Sequence, residues 1–300
     1  MLLKSNVATC FPYMKGKMKD LTVRSVSGAV FLVIFVGAIL LSQWSFGALL
    51  LAILIGGQIE YYRMCSRSGY SPQVFTGVVC GLALLVINFL IFKQFGRVMA
   101  IDESVSKAIY VLMLYVVLIL PTVFVCELLR GKTNPIADVA TTIAGVVYVA
   151  LPLSLLCYIP LLLNGGTWNP WALLGYVLII WANDVFAYLV GSTFGKHLIC
   201  ERISPKKTWE GFAGGFTFSL ISGLAAGYLL GGNLWIWGGM AVVASVTGVM
   251  GDFTESMFKR SVGVKDSGAM MPGHGGWLDR FDSMLMSAPY VFVYLLITCN

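Results

Sequence analysis

The acidic residues of this chain are unevenly placed. Eight of its 14 Asp and Glu residues follow position 180: Asp184, Glu201, Glu210, Asp252, Glu255, Asp266, Asp279 and Asp282. The densest group is Gly251-Asp252-Phe253-Thr254-Glu255-Ser256-Met257-Phe258-Lys259-Arg260. On a helix Asp252, Glu255 and Lys259 share one face. Two acids and a base so arranged suit a metal-bound phosphate. The same spacing also describes an intrahelical ion pair that ends an apolar helix. A second group runs from Lys265-Asp266 through Gly273-His274-Gly275-Gly276 to Asp279-Arg280-Phe281-Asp282. Glycines around one histidine let backbone amides approach an anion closely. Asp279 and Asp282 are three apart and point the same way on a helix. Two hard carboxylates suit magnesium, which prefers oxygen ligands and bridging phosphates. A flexible glycine loop before an acidic helix start has the same pattern. His274 alone reads equally well as a solvated loop residue.

A third group is Ser204-Pro205-Lys206-Lys207-Thr208-Trp209-Glu210-Gly211. Ser before Pro predicts a helix N-cap with proline in the first turn. Lys206 and Lys207 beside a helix start would hold phosphate, or would simply form a basic loop that sets topology. Asp184 interrupts the apolar run Trp181–Tyr188. A carboxylate there is a functional candidate or a hydrogen-bonded packing residue. No P-loop, G-x-S-x-G elbow or H-E-x-x-H is present. With only His197 and His274 available, a hydrolase triad has few possible bases.

The elements that carry these residues belong in a membrane. Of 300 residues 58% are hydrophobic and 11% charged, with mean hydropathy +0.84. Soluble domains carry about 25% charged residues, so this chain cannot build a soluble surface. That excludes a cytosolic enzyme, a disordered tail and a fibrous protein. Nine apolar runs are marked: Val26–Leu41, Phe46–Tyr62, Gln73–Phe92, Ala108–Leu129, Ile136–Leu163, Trp171–Phe194, Phe212–Leu230, Leu234–Phe253 and Met284–Cys299. The first two, separated by Ser42-Gln43-Trp44-Ser45, form a tight hairpin of thin spans or a re-entrant pair. Pro152 and Pro160 predict a kink in the fifth. With the N-terminus inside, nine spans put 17 of the 20 Lys and Arg residues in the cytoplasm and leave only Lys93, Arg97 and Lys107 outside. The net charge of +6 is therefore a topology signal and not a nucleic-acid one.

The expected fold is all-α, a polytopic integral membrane protein of about nine transmembrane helices, N-in and C-out. Residues 1–25 form a basic cytoplasmic segment, 26–170 the N-terminal helices, and 171–300 the C-terminal helices with motif loops facing the cytoplasm. No A-x-A site follows the first run, which reads as an uncleaved signal anchor. The seven cysteines form no CxxC pair and read as small buried hydrophobes. Gly211/Gly215 and Gly223/Gly227 have the spacing of close helix packing. Trp44, Trp168, Trp171, Trp235 and Trp237 read as interfacial anchors.

The C-terminal groups also carry a family resemblance. Ser256-x-Phe258-Lys259-Arg260-x4-Lys265-Asp266-x-Gly268-x3-Pro272-x-His274-Gly275-Gly276-x2-Asp279-Arg280-Phe281-Asp282 resembles the signature of phosphatidate cytidylyltransferases. Asn183-Asp184 through Phe194-Gly195-Lys196-His197, and Ile203 through Gly211, resemble further blocks of that family. The likeness covers roughly 175–285; the first half matches only as apolar spans. Met271 and Trp277 depart from the pattern, apolar for apolar, and Trp277 is positioned to reshape the loop.

The resemblance implies that CTP and phosphatidate give CDP-diacylglycerol and pyrophosphate, with Mg2+ and room for a second cation. It implies Asp252 and Asp279 as main metal ligands, with Asp282 and Glu255 beside them. Lys259, Arg260, Lys265 and Asp266 would act on phosphates in the catalytic centre. Lys206, Lys207, Gly273, His274, Gly275, Gly276, Arg280 and Asp184 would contact substrate or orient the site. Expected partners are CTP, phosphatidate and membrane lipid, with a homodimer left open and no nucleic acid. The expected location is an inner (plasma) membrane if the source is bacterial. Two other readings stay open on residues alone. One is a CTP-dependent polyprenol kinase. The other is an ion-coupled transporter, which predicts inverted repeats and ionisable groups in both halves.

Overall fold

The computed structural model describes residues 10–98, 121–264, 267–268 and 275–299, with side chains from residue 26 onward except 94–98. Helix α1 (Cys10–Leu41) passes into α2 (Gln43–Arg67) through the single residue Ser42. Ser42 is extended (φ −168°, ψ 165°). Its Oγ accepts from Ser45 N at 3.1 Å, while Ser45 Oγ accepts from Ser42 N at 3.0 Å. This reciprocal capping starts α2 immediately. Gln43, Trp44 and Ser45, expected in a linker, are therefore its first turn. Helix α3 (Val74–Val98) follows, and residues 121–130 are helical.

The proline-bearing run is broken twice. It consists of α4 (Pro135–Gly145), a π-turn (Val146–Ala150), α5 (Leu151–Leu156) and α6 (Ile159–Leu162). Pro152 has no N–H to return to the carbonyl of Tyr148. The ladder widens there, and Leu151 N bonds to Val146 O. The second break, at Cys157–Tyr158, immediately precedes the short turn that contains Pro160.

The C-terminal half contains α7 (Pro170–Phe194), strands β1 (Leu198–Cys200) and β2 (Ser204–Thr208), α8 (Trp209–Leu229), α9 (Leu234–Ser261) and α10 (Leu278–Thr298). The strands form an antiparallel hairpin with Leu198 opposite Thr208 and Cys200 opposite Ser204. The helix start expected at Ser204-Pro205 is thus corrected. A two-stranded ribbon has only edges, so it tolerates a proline without a ladder N–H. The cap of α8 is Thr208, whose Oγ1 accepts from Gly211 N at 3.2 Å.

Among the described residues seven helices are long and apolar enough to cross a membrane. Val26–Leu41 is a shorter apolar stretch of α1. The expected run 108–129 lies mostly outside the described residues. The glycine pairs do what their spacing predicts. A Cβ on Gly215 would stand 2.6 Å from Asn183 O, and one on Gly211 2.7 Å from Ala187 O, so α8 lies directly against α7. Gly223 and Gly227 face Ala241 and Trp237 of α9 in the same way. Trp237 is a core residue rather than an interfacial anchor: it is 2% exposed and fills the space left by Gly175 and Gly227. Trp44, Trp171 and Trp235 are exposed, as expected of anchors. Cys65, Cys80, Cys126, Cys157, Cys200 and Cys299 are free thiols.

Candidate active site

Four elements of the C-terminal half converge on one chamber of about 700 Å³. That volume lies within the usual range for a small-molecule site. Helix α7 supplies Asp184, β2 supplies Lys206 and Lys207, α9 supplies Asp252, Glu255 and Lys259, and α10 supplies Asp279, Arg280 and Asp282. These residues are spread over nearly 100 positions of sequence. The hairpin delivers its lysines because its ends are tied to α8. Glu210 Oε2 accepts from the backbone N–H groups of Lys196 and His197 at 3.1 and 3.2 Å. Glu210 Oε1 meets His197 Nδ1 at 2.6 Å, and Trp209 N bonds to His197 O at 2.9 Å.

Charge in the chamber is paired. Lys259 Nζ stands 2.6 Å from Glu255 Oε2 and 2.6 Å from Asp279 Oδ1. It bridges α9 to α10 with 13% of its side chain exposed. Lys207 pairs with Asp252 and lies over the Phe253 ring, 4.5 Å from its centroid. Asp279 Oδ2 accepts from Gly276 N at 2.9 Å, Ser267 N at 3.2 Å and Ser267 Oγ at 3.1 Å. Asp282 is buried and accepts from Ser283 N at 2.7 Å.

Three buried acceptors in or beside this network have no hydrogen-bond partner: Glu255 Oε1, Asn183 Oδ1 and Glu60 Oε1 of α2. Buried polar atoms are nearly always satisfied. An unpartnered carboxylate oxygen among four other carboxylates fits a site built for an oxygen-seeking cation. Among the described residues no three His, Cys, Asp or Glu side chains already form a metal cluster. Lysine ammonium groups pair with three of the carboxylates instead: Lys207 with Asp252, and Lys259 with Glu255 and Asp279.

Most of the sequence candidates meet here. Arg260 does not line the chamber; it is exposed at the end of α9, with Nη1 3.5 Å from Val264 O. Gly276 offers its N–H to Asp279 rather than to the chamber, and Gly275 holds the turn with φ +84°. Lys265, Asp266, Gly273 and His274 lie outside the described residues. Sequence reasoning missed Glu60, a buried carboxylate of α2 that meets this loop. It also missed Ser267, Asn183 and Ser283. An acidic residue inside the apolar run Phe46–Tyr62 was the available signal for Glu60.

The lining also includes the apolar or mostly apolar side chains of Ala187, Tyr188, Leu198, Ile199, Phe212 and Val249. A chamber that combines cations, carboxylates and hydrocarbon suits an amphiphile with an anionic head.

These features define a polytopic α-helical membrane protein with a densely charged chamber in its C-terminal bundle. Residues 22–298 match the cytidylyltransferase family model, and the chain belongs to that family. It is 30% identical over 305 residues to a phosphatidate cytidylyltransferase of Synechocystis sp., covering 92% of this chain and 97% of that one. It is 32% identical over 250 residues to the Mycobacterium bovis protein of the same name, covering 81% and 70% of the two chains. Likeness to the Staphylococcus aureus phosphatidate cytidylyltransferase is stronger but local. It is 49% identical over 121 residues, which span 40% of this chain and 46% of that protein.

Proposed function

We propose that this protein transfers the cytidylyl group of CTP to phosphatidate, giving CDP-diacylglycerol and pyrophosphate. The observation that carries the reading is one chamber lined by five carboxylates, three lysines and an arginine together with apolar side chains. Full-length likeness to proteins named for this reaction supports it. A lipid phosphate oxygen attacks the α-phosphorus of CTP. The bond between that phosphorus and the α–β bridging oxygen breaks, and pyrophosphate leaves. The attacking oxygen is already anionic, so no strong general base is required. The difficulty is bringing anions together, and the solution is positioning and charge neutralisation.

Lys206, Lys207 and Arg280 hold phosphate oxygens. Lys259 keeps Asp279 and Glu255 in place across the α9–α10 junction. Asp252, Asp279, Asp282 and Glu255 are the residues that would hold Mg2+, with room for a second cation. Bound there, the metal would neutralise triphosphate charge. The arriving triphosphate competes for Lys207, and release of that lysine opens Asp252 as a ligand. Tyr188 and Leu198, apolar lining residues exposed at the surface, accept the acyl end of the lipid. The chamber faces the cytoplasm under the N-in topology, in an inner membrane for a bacterial source.

The test uses purified protein in detergent with phosphatidate, Mg2+ and CTP labelled in turn at the α- and γ-phosphate. The expected result is α-label in lipid, γ-label released as pyrophosphate, and neither with Asp279→Asn. Transfer of γ-label to a polyprenol would instead make the protein a kinase. Folded protein that labels no lipid at all would end the transferase reading.

A further inference from the structure

The C-terminal chamber is held in place by a residue of the N-terminal half. Glu60 lies in α2 and is 2% exposed. Its Oε2 accepts from Leu278 N at 3.1 Å and from Ser267 Oγ at 3.2 Å. Leu278 is the first residue of α10, and the residue before it, Trp277, provides no side-chain cap. The first amides of a helix need outside acceptors, and an anion there is favoured by the helix dipole. Glu60 is that acceptor, reaching from another helix. Ser267 ties the same carboxylate to Asp279, because its Oγ is also 3.1 Å from Asp279 Oδ2.

The loop approaches Glu60 through glycine. A Cβ on Gly268 would collide with Glu60 Oε1, and one on Gly276 would collide with Ser267 Oγ. One turn earlier in α2, Gly56 makes room for Trp277, whose Cδ1 would be 2.8 Å from a Cβ placed there. Trp277 also stacks on Phe281, at 6.0 Å between centroids and 15° between planes. Both ends of the described loop, at 267–268 and 276–278, are therefore seated on one face of α2.

We propose that Glu60 is a positioning residue: it caps α10 from α2 and, through Ser267, holds Asp279 of α10 in register with Lys259 of α9. The assignment rests on the transferase reading only for its kinetic consequence; the anchoring itself is independent of activity.

The test compares Glu60→Gln, Glu60→Ala, Ser267→Ala and Glu60→Ala/Ser267→Ala in full-length protein. Gln keeps an oxygen for Leu278 N and Ser267 Oγ, whereas Ala removes the acceptor. Expected for Glu60→Ala is a fall in kcat of about tenfold to a hundredfold, with KM for CTP changed less than about threefold and faster amide hydrogen exchange confined to residues 267–281. Glu60→Gln should restore kcat to within about threefold and restore the exchange pattern. The Ser267→Ala loss should shrink when Glu60 is already Ala, because the shared bond is gone. Should Glu60→Ala fail to fold, Glu60→Gln and Ser267→Ala decide by exchange. Wild-type exchange and kcat in Glu60→Ala overturn the proposal. So does a Glu60→Gln variant as poor as Glu60→Ala, since the charge and not the cap would then matter. Fully additive losses overturn it as well. If the unmodified protein makes no CDP-diacylglycerol, the transferase reading fails while the exchange data still judge Glu60.

Discussion

At the scale of single residues, Lys259 has the most connected position in the chamber. Its one positive charge is shared between Glu255, which is 1% exposed, and Asp279. Removing one partner of a buried pair leaves uncompensated charge, which costs more than the pair contributes. Lys259→Met should therefore lower cytidylyl transfer by at least about a hundredfold. It should also lower the unfolding temperature in detergent, measured by intrinsic fluorescence. Equal activity and stability would show that the lysine merely fills space. Asp252 differs because its partner Lys207 arrives on a hairpin and its side chain is 38% exposed. Asp252→Asn should keep the fold, since an amide of the same shape still meets Lys207. Half-saturation by Mg2+ in the transfer assay should rise about tenfold or more. An unchanged Mg2+ curve would remove Asp252 from the metal ligands.

At the scale of elements, the α7–α8 contact sets how closely Asp184 approaches the two lysines of β2. Gly215 is the critical contact: a methyl there would meet Asn183 O and the Ala187 Cβ. Neither can move without shifting α7. Gly215→Ala should cost about 1–3 kcal/mol through overpacking and should reduce transfer. Gly37 of α1 has nothing within 4 Å of the same hypothetical methyl. Gly37→Ala should be neutral or raise stability by up to about 1 kcal/mol, because alanine is the better helix former. Thermal unfolding of the two variants side by side checks the contrast. Equal effects would show that close packing is not what Gly215 provides. Glycine spacing alone could not separate the two positions; the opposing atoms do.

At the scale of the whole molecule, the two halves are one structure. An aromatic series Phe35–Phe281–Trp277, with Trp181 tilted at 45° against Phe35, joins α1, α7 and α10. Tyr176 Oη and Ser287 Oγ meet at 2.7 Å between α7 and α10. The N-in topology expected from the charge asymmetry makes a prediction at this scale. In a cysteine-free background, Arg202→Cys at the hairpin tip should react with an impermeant thiol reagent from the cytoplasmic side only. A C-terminal tag should be reached only from the opposite side. Both sites on one side would mean an even number of spans between the hairpin and the C-terminus, which contradicts three spanning helices there.

Much of this was legible in the chain. Apolar runs reveal membrane helices because lipid leaves no other use for them. The lysine and arginine asymmetry carries the orientation argument. The spacing of Asp252, Glu255 and Lys259 was enough to anticipate a shared helical face, and the glycine pairs to anticipate close packing. The intrahelical pair that this spacing allowed forms between Glu255 and Lys259. The pairings between elements were beyond its reach: Asp252 meets Lys207 of β2, and Lys259 also reaches Asp279 of α10. Ser204-Pro205 met a local rule for helix starts, but ladder bonds to β1 made it a strand. Glu60 and Leu278 are 218 residues apart, and no periodicity links them. Sequence pattern reports which face a residue occupies on its own element. Which residue of another element meets that face depends on how the helices pack, and that is settled only in three dimensions.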